Sequence, residues 1–411
     1  MTSTAPSSFM GKNIRFAAHH IDSRRMQKLR MEVDLLGDQF LDALIETHPE
    51  AEKCSPSRLK DFTREFLLSQ RTSLCYDTRT ASMLSQISSM PEWVDMAAVR
   101  RGMRVYLKYS VSGHLALLFY SLIGGFSAPK ITSVLDATGY LTRGHDQIWR
   151  RLLETFEMVV KCISDDDALN RDGAGFLSII HVRMLHSRVR RRILSDPSSW
   201  DMQTNGKPIN QADMLVTLLS FSINVLEVIK KIGAPFLSKA DEEDYLMLWR
   251  TIGYFLGVDP TILTCHCSSL ELAHGAMESL VLDLLHPNQH SQQIASNILL
   301  AVSNRPPLFW NHGVNCSLAH QLLGPELSKA LKLPKPSFFT SFDRITALWV
   351  VFFASLLNIL IPLFFSSEKA VARKRTIMQA VLDKQLQSST SSSLKRSSSS
   401  GCPFSPHIKT S

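Results

Sequence analysis

The chain of 411 residues reads as all-α: a single large helical domain followed by a transmembrane helix near the C-terminus. Three observations lead there. Apolar residues recur at three- and four-residue spacing through most of the chain, strand-like alternation is scarce, and one uncharged stretch near the end is of bilayer length. With 45% apolar residues, the chain can bury an extended core.

Residues 1–24 are expected to form a flexible N-terminus. Their opening, "MTSTAPSSFMGKNIRF", lacks the continuous apolar core of a signal peptide, so export of the body is not expected. Residues 25–335 carry the helical pattern, in segments such as "RMEVDLLGDQFLDALIETH" (30–48), "PSRLKDFTREFLLSQ" (56–70) and "IWRRLLETFEMVVKCI" (148–163). The pattern continues in "ADMLVTLLSFSINVLEVIKKIG" (212–233) and "EDYLMLWRTIGYFLGV" (243–258). The uncharged run Tyr109–Ala128 contains three glycines and His114, and reads as a central buried helix. From Ile345 to Phe365, 21 residues carry no charge. At about 1.5 Å per residue they span a hydrocarbon core of about 30 Å, between Arg344 and the basic "EKAVARKR". Residues 366–411 are basic and Ser-rich, a composition expected to stay disordered.

The net charge of +8 would suggest nucleic acid if it were spread over the domain. Instead, after Ser366 eight lysines and arginines face only Glu368 and Asp383, and the rest of the chain is nearly neutral. A nucleic-acid partner is therefore not expected. Seven cysteines, an odd number in a long chain, fit a reducing compartment better than a disulfide framework. The one close pair, Cys265 and Cys267 around His266, has no second pair at zinc spacing. No phosphate loop, nucleophile elbow, zinc-protease helix or dinucleotide fingerprint is present, which removes the commonest enzyme classes.

What remains is "HVRMLHSRVRRR", His181 to Arg192. On a wheel of about 100° per residue with His186 at zero, Arg190 falls at about +40° and Arg183 at about +60°. Val182, Leu185, Val189 and Ile193 form an adjacent apolar stripe, while Arg188 and Arg192 lie beyond it and read as solvated. A histidine between an apolar face and two arginines permits axial haem ligation with neutralised propionates. A satisfied core histidine with surface arginines is the commoner arrangement. Two further elements carry polar groups. Arg151 and Thr155 are spaced i, i+4 with Glu154 between them, and Thr217 follows the proline-bounded "PINQADMLVT".

These blocks together resemble the ER-bound oxygenase and rubber-oxygenase catalytic domain family, which includes the latex-clearing rubber oxygenases. The resemblance rests on the order of "GDQFLDALIE", "SVLDATGYL", "RRLLETFE", "RMLHSRVRR", "PINQADMLVTLLSFS" and "WRTIGYFLGV". It implies a buried pocket for haem b with His186 as axial iron ligand and Arg183 and Arg190 as supporting cofactor residues. It also implies a distal set of Arg151, Thr155 and Thr217, with an acidic residue near Asp136, and this chain's own Glu154 is counted with them as catalytic. Some rubber-cleaving members have lysine where this chain has Glu154. The implied activity is oxidation or cleavage of a C=C bond in a lipophilic, isoprenoid-type substrate by dioxygen. The implied setting is the endoplasmic reticulum membrane, with the catalytic domain cytosolic. The alternative is a non-catalytic haem- or lipid-binding membrane protein that keeps the fold.

Overall fold

The first periodic segment, 30–48, folds as two helices rather than one: α1 (Ser23–Met31) and α2 (Leu35–Thr47). Asp34 causes the break, because its carboxylate accepts a hydrogen bond from the Gly37 N–H at 3.1 Å and so caps α2. The structure, a computed structural model, describes residues 7–9, 12–14, 17–72, 78–138, 144–196, 198, 200–306, 308–334, 341–364 and 368–399. Among them regular structure is helical apart from one antiparallel pair, β1 (Ser7–Phe9) and β2 (Lys12–Ile14). The segment expected to be flexible is tied down beyond that pair. The Ile21 N–H donates to Ser279 Oγ at 2.9 Å, and His20 Nε2 meets Glu278 Oε2 at 2.9 Å.

Six further helices build the centre. They are α3 (Met96–Lys108), α4 (Ser110–Leu115), α5 (His145–Cys162), α6 (Ala174–Leu194), α7 (Gln211–Ile232) and α8 (Lys239–Leu256). The run read as a central buried helix is one, with Leu115, Ala116, Phe119 and Ile123 in the core. It is not uniform: α4 widens into a π-helical stretch, Ala116–Leu122. Such stretches open the backbone spacing and recur beside functional sites. Helix α7 is apolar around most of its circumference because α1, α4, the π stretch and α8 all pack on it. Its start is a capping box: Asn210 Oδ1 accepts from the Asp213 N–H at 3.0 Å, and Asp213 Oδ2 accepts from the Asn210 N–H at 3.2 Å.

Toward the C-terminus come α9 (His312–Leu323), α10 (Ser341–Phe364) and α11 (Glu368–Ser399). Among the described residues, two helices are long and apolar enough to cross a membrane. Gln211–Ile232, within the core, is 72% buried, whereas Phe342–Phe364 is 17% buried. The tail departs from the expectation of disorder, since residues 368–399 are helical. Its serines conceal a sparse apolar stripe: Val371 and Leu382 are buried, Leu382 beside Leu153 and Val160 of α5. Arg375 completes the attachment, donating to Asp166 at 2.7 Å and to the Ile163 carbonyl at 2.8 Å.

Candidate active site

Helix α6 separates two environments. Its Arg183 and Arg190 point toward α2 and are almost fully buried. Arg183 grips Asp34 through Nε at 2.6 Å and Nη2 at 2.7 Å, and its Nη1 reaches the Phe255 carbonyl at 3.4 Å. Arg190 holds Asp38 through Nε at 2.9 Å and Nη2 at 2.9 Å, and its Nη1 donates to the Ile209 carbonyl at 2.9 Å. Ile209 adopts φ 52°, a left-handed conformation that is costly for a β-branched residue and that this bond helps to fix. Backbone closes over the first pair. A Cβ on Gly37 or on Gly257, which has φ 92°, would overlap the Asp34 carboxylate. Gln211 secures that turn, donating to the Gly257 carbonyl at 3.0 Å and accepting from the Asp259 N–H at 3.1 Å. Both arginines thus spend their hydrogen bonds inside the fold, and neither lines the cavity on the other side of α6.

That cavity, of about 1460 Å³, is lined by Val182, Leu185, His186 and Val189 of α6 and by Met214 and Thr217 of α7. The Nδ1 of His186 is buried and meets no hydrogen-bond partner. Burial first, then the Arg190 guanidinium, push this imidazole down to about 4, against the opposing pull of Asp34. The ring is therefore neutral at physiological pH, the form that ligates a metal. No cluster of three or more ligating side chains occurs among the described residues. A haem would bring four nitrogens of its own and ask the chain for one neutral imidazole, which His186 offers.

Arg151, Glu154, Thr155 and Thr217 line this cavity, and all of them except Glu154 also line a second one of about 1120 Å³. Its walls are mainly apolar, with Leu118, Phe119 and Leu122 from the π stretch and Phe156 from α5. Thr155 and Thr217 are open side chains on otherwise well-packed helices. Their hydroxyl protons are committed, Thr155 to the Arg151 carbonyl at 3.1 Å and Thr217 to the Asp213 carbonyl at 2.7 Å. Their oxygens can accept at once, but each must rotate to donate. Glu154 accepts from Arg151 Nη1 at 2.7 Å and from Arg150 Nε at 3.3 Å, so it partly neutralises the cation beside it. The side chain of Asp136 lies outside the described residues.

The structure corrects the reading of Arg188 as solvated and brings His181 to the same cavity. Both line the His186 cavity, with Lys60 and Lys161. Arg188 donates to the Cys54 carbonyl at 2.9 Å, and the buried Nδ1 of His181 has no partner. Burial, then Lys60, Arg188 and Lys161, push His181 down to about 4. On the wheel the cavity-lining residues of α6 between His181 and Val189 span about 160°, from His186 round to Arg188. Taking the apolar stripe alone as the inner face made that arc too narrow.

The chain matches a family model described as "ER-bound oxygenase mpaB/B'/Rubber oxygenase, catalytic domain" over residues 109–355, more than half its length. No curated protein sequence matches it. Among solved structures it is similar to one titled "Structure of Latex Clearing Protein LCP in the closed state", at 17% identity and a TM-score of 0.57. That match covers 90% of this chain and 92% of the other, and it indicates a shared fold.

Proposed function

Because the chain belongs to the ER-bound oxygenase/rubber oxygenase catalytic domain family, we propose that it is a membrane-associated, haem b-dependent oxygenase. Its substrate would be a lipophilic, isoprenoid-type chain, oxidised or cleaved at a C=C bond with dioxygen. One observation carries this reading: a neutral, unpartnered His186 in a cavity that shares Arg151, Thr155 and Thr217 with an apolar neighbour. His186 would be the residue that holds the haem iron. Haem, when bound, supplies redox chemistry with dioxygen that no side chain provides.

The remaining roles belong to the chain itself. Arg183 and Arg190 act through position, locking α6 to α2 so that the His186 ring is held in one place. Arg188, Lys60 and Lys161 are cations lining the cavity and are better placed than Arg183 and Arg190 to meet the carboxylates of a haem. Arg151 offers positive charge, and Thr155 and Thr217 offer hydroxyls, at the junction of the two cavities, where they would stabilise charge developing during oxidation. The second cavity is larger than the usual drug-sized pocket of about 300–1,000 Å³, and its apolar lining suits a long hydrocarbon and excludes water. The apolar helix α10 supplies membrane association, which concentrates such a substrate.

The Glu154–Arg151 pair favours a second reading, a haem- or lipid-binding protein that keeps the fold without turnover. An absorption spectrum of the full chain, purified in detergent and supplied with haem, separates the readings. A Soret band that shifts with dithionite and carbon monoxide is expected, and its absence removes haem from the account. Products released from farnesylated or polyisoprenoid candidates then support the enzyme, while haem bound without product supports the binder.

A further inference from the structure

Helix α10 has two unlike sides. Outward lie Ile345, Trp349, Phe352, Phe353, Leu360 and Leu363, all exposed, with no charged side chain from Ile345 to Phe364. Inward, Ala347 and Ala354 are fully buried, and their small side chains let the helix lie close to α9, α4 and α7. Polar bonds fix the inward side along its length. Near its start, Asp343 accepts from Asn311 Nδ2 at 2.9 Å. In its second half Asn358, 1% exposed, accepts from Ser112 Oγ at 3.0 Å and donates to the Gly233 carbonyl at 3.3 Å. Just beyond its end, Glu368 pairs with Arg104 at 2.9 Å, and Arg375 follows with its bond to Asp166.

A helix that crosses a bilayer delivers the following residues about 30 Å away on the opposite side. Here Asp343, Asn358, Glu368 and Arg375 all bond to the same domain. We infer that α10 lies in the plane of the membrane, with its outward face in one leaflet and both its ends on the same side. The inference rests on the reading of the chain as membrane-associated and names the geometry of that association. The occupant of the outward face is lipid rather than a second copy of the chain. A protein interface carries about one hydrogen bond per 100–200 Å², whereas the exposed side chains from Ile345 to Phe364 are all apolar. Trp349 near one end, Arg344 before it and Lys369 and Arg373 after it suit the headgroup region.

The placement also bears on substrate entry. Val111, Leu308, Ile377 and Val381 line the apolar cavity and are exposed. Val111 belongs to α4, against which α10 packs, and Ile377 and Val381 belong to α11. A leaflet that receives the face of α10 therefore lies beside the mouth of that cavity, and a chain dissolved in the leaflet enters without crossing water.

The test uses the full chain with an epitope tag at each end, expressed in cells and recovered in sealed microsomes. Protease added without detergent is expected to treat both tags alike. One tag digested and the other protected overturns the in-plane placement while leaving membrane association intact. A chain that does not sediment with the membranes overturns both. A second measurement takes the triple variant Trp349→Ser, Phe352→Ser, Phe353→Ser, whose changes lie on the outward face and leave the inward bonds untouched. Its binding to mixed phosphatidylcholine and phosphatidylserine vesicles is expected to fall about tenfold or more, and parental binding with normal folding overturns the assignment of that face.

Discussion

Replacing Asp34 with alanine tests the framework that holds His186. The substitution removes both bonds to Arg183 and leaves a guanidinium that is 1% exposed with only the Phe255 carbonyl, at 3.4 Å. Breaking one partner of a buried ion pair costs about 3–5 kcal/mol. Losing the cap of α2 adds about 1 kcal/mol. At roughly 2 °C per kcal/mol for a large domain, the melting temperature should fall by about 8–12 °C. The assay is thermal unfolding of the full chain in detergent, followed by circular dichroism. The double variant Asp34→Ala, Arg183→Met should recover part of the loss, because the stranded charge is gone. A single variant within about 1 kcal/mol of the parent, or a double variant whose loss equals the sum of its singles, would refute the reasoning.

Two other outcomes follow from the site. Burial, against the Asn210 N–H and the nearby cations, pushes the Asp213 carboxyl up to about 7. An unfolded aspartate loses its proton near pH 3.9, so between roughly pH 4 and 7 the folded chain holds a proton that the unfolded chain has released. Stability from this group therefore falls as pH rises through that window and is level above it. Asp213→Asn should flatten that slope, and superimposable melting-versus-pH curves would contradict the assignment. Arg151→Met should lower product formation by about 10²–10³, with at most about 1 kcal/mol lost in stability because the Arg151–Glu154 pair is partly exposed. Parental product yields would remove Arg151 from the distal set.

Helical periodicity made most of the fold legible, because a 3.6-residue pattern is a local property. The block order pointed to His186, Arg151, Thr155 and Thr217, which line one cavity. What was not legible depends on distant partners. Nothing near Arg183 and Arg190 reveals that Asp34 and Asp38, far back in the chain, claim them. The break at 32–34 has the same origin, a carboxylate serving α2 and α6 at once. Helix α11 was hidden by composition, since few apolar residues among many serines give little sign of the surface on α5 that they cover.

The most direct test of the central claim is the spectrum of His186→Ala beside the parent, each supplied with haem, before and after addition of imidazole. The account predicts that the variant loses or shifts the Soret band and that imidazole restores it toward the parental position. An unchanged band in His186→Ala would contradict the assignment of His186 as the axial ligand.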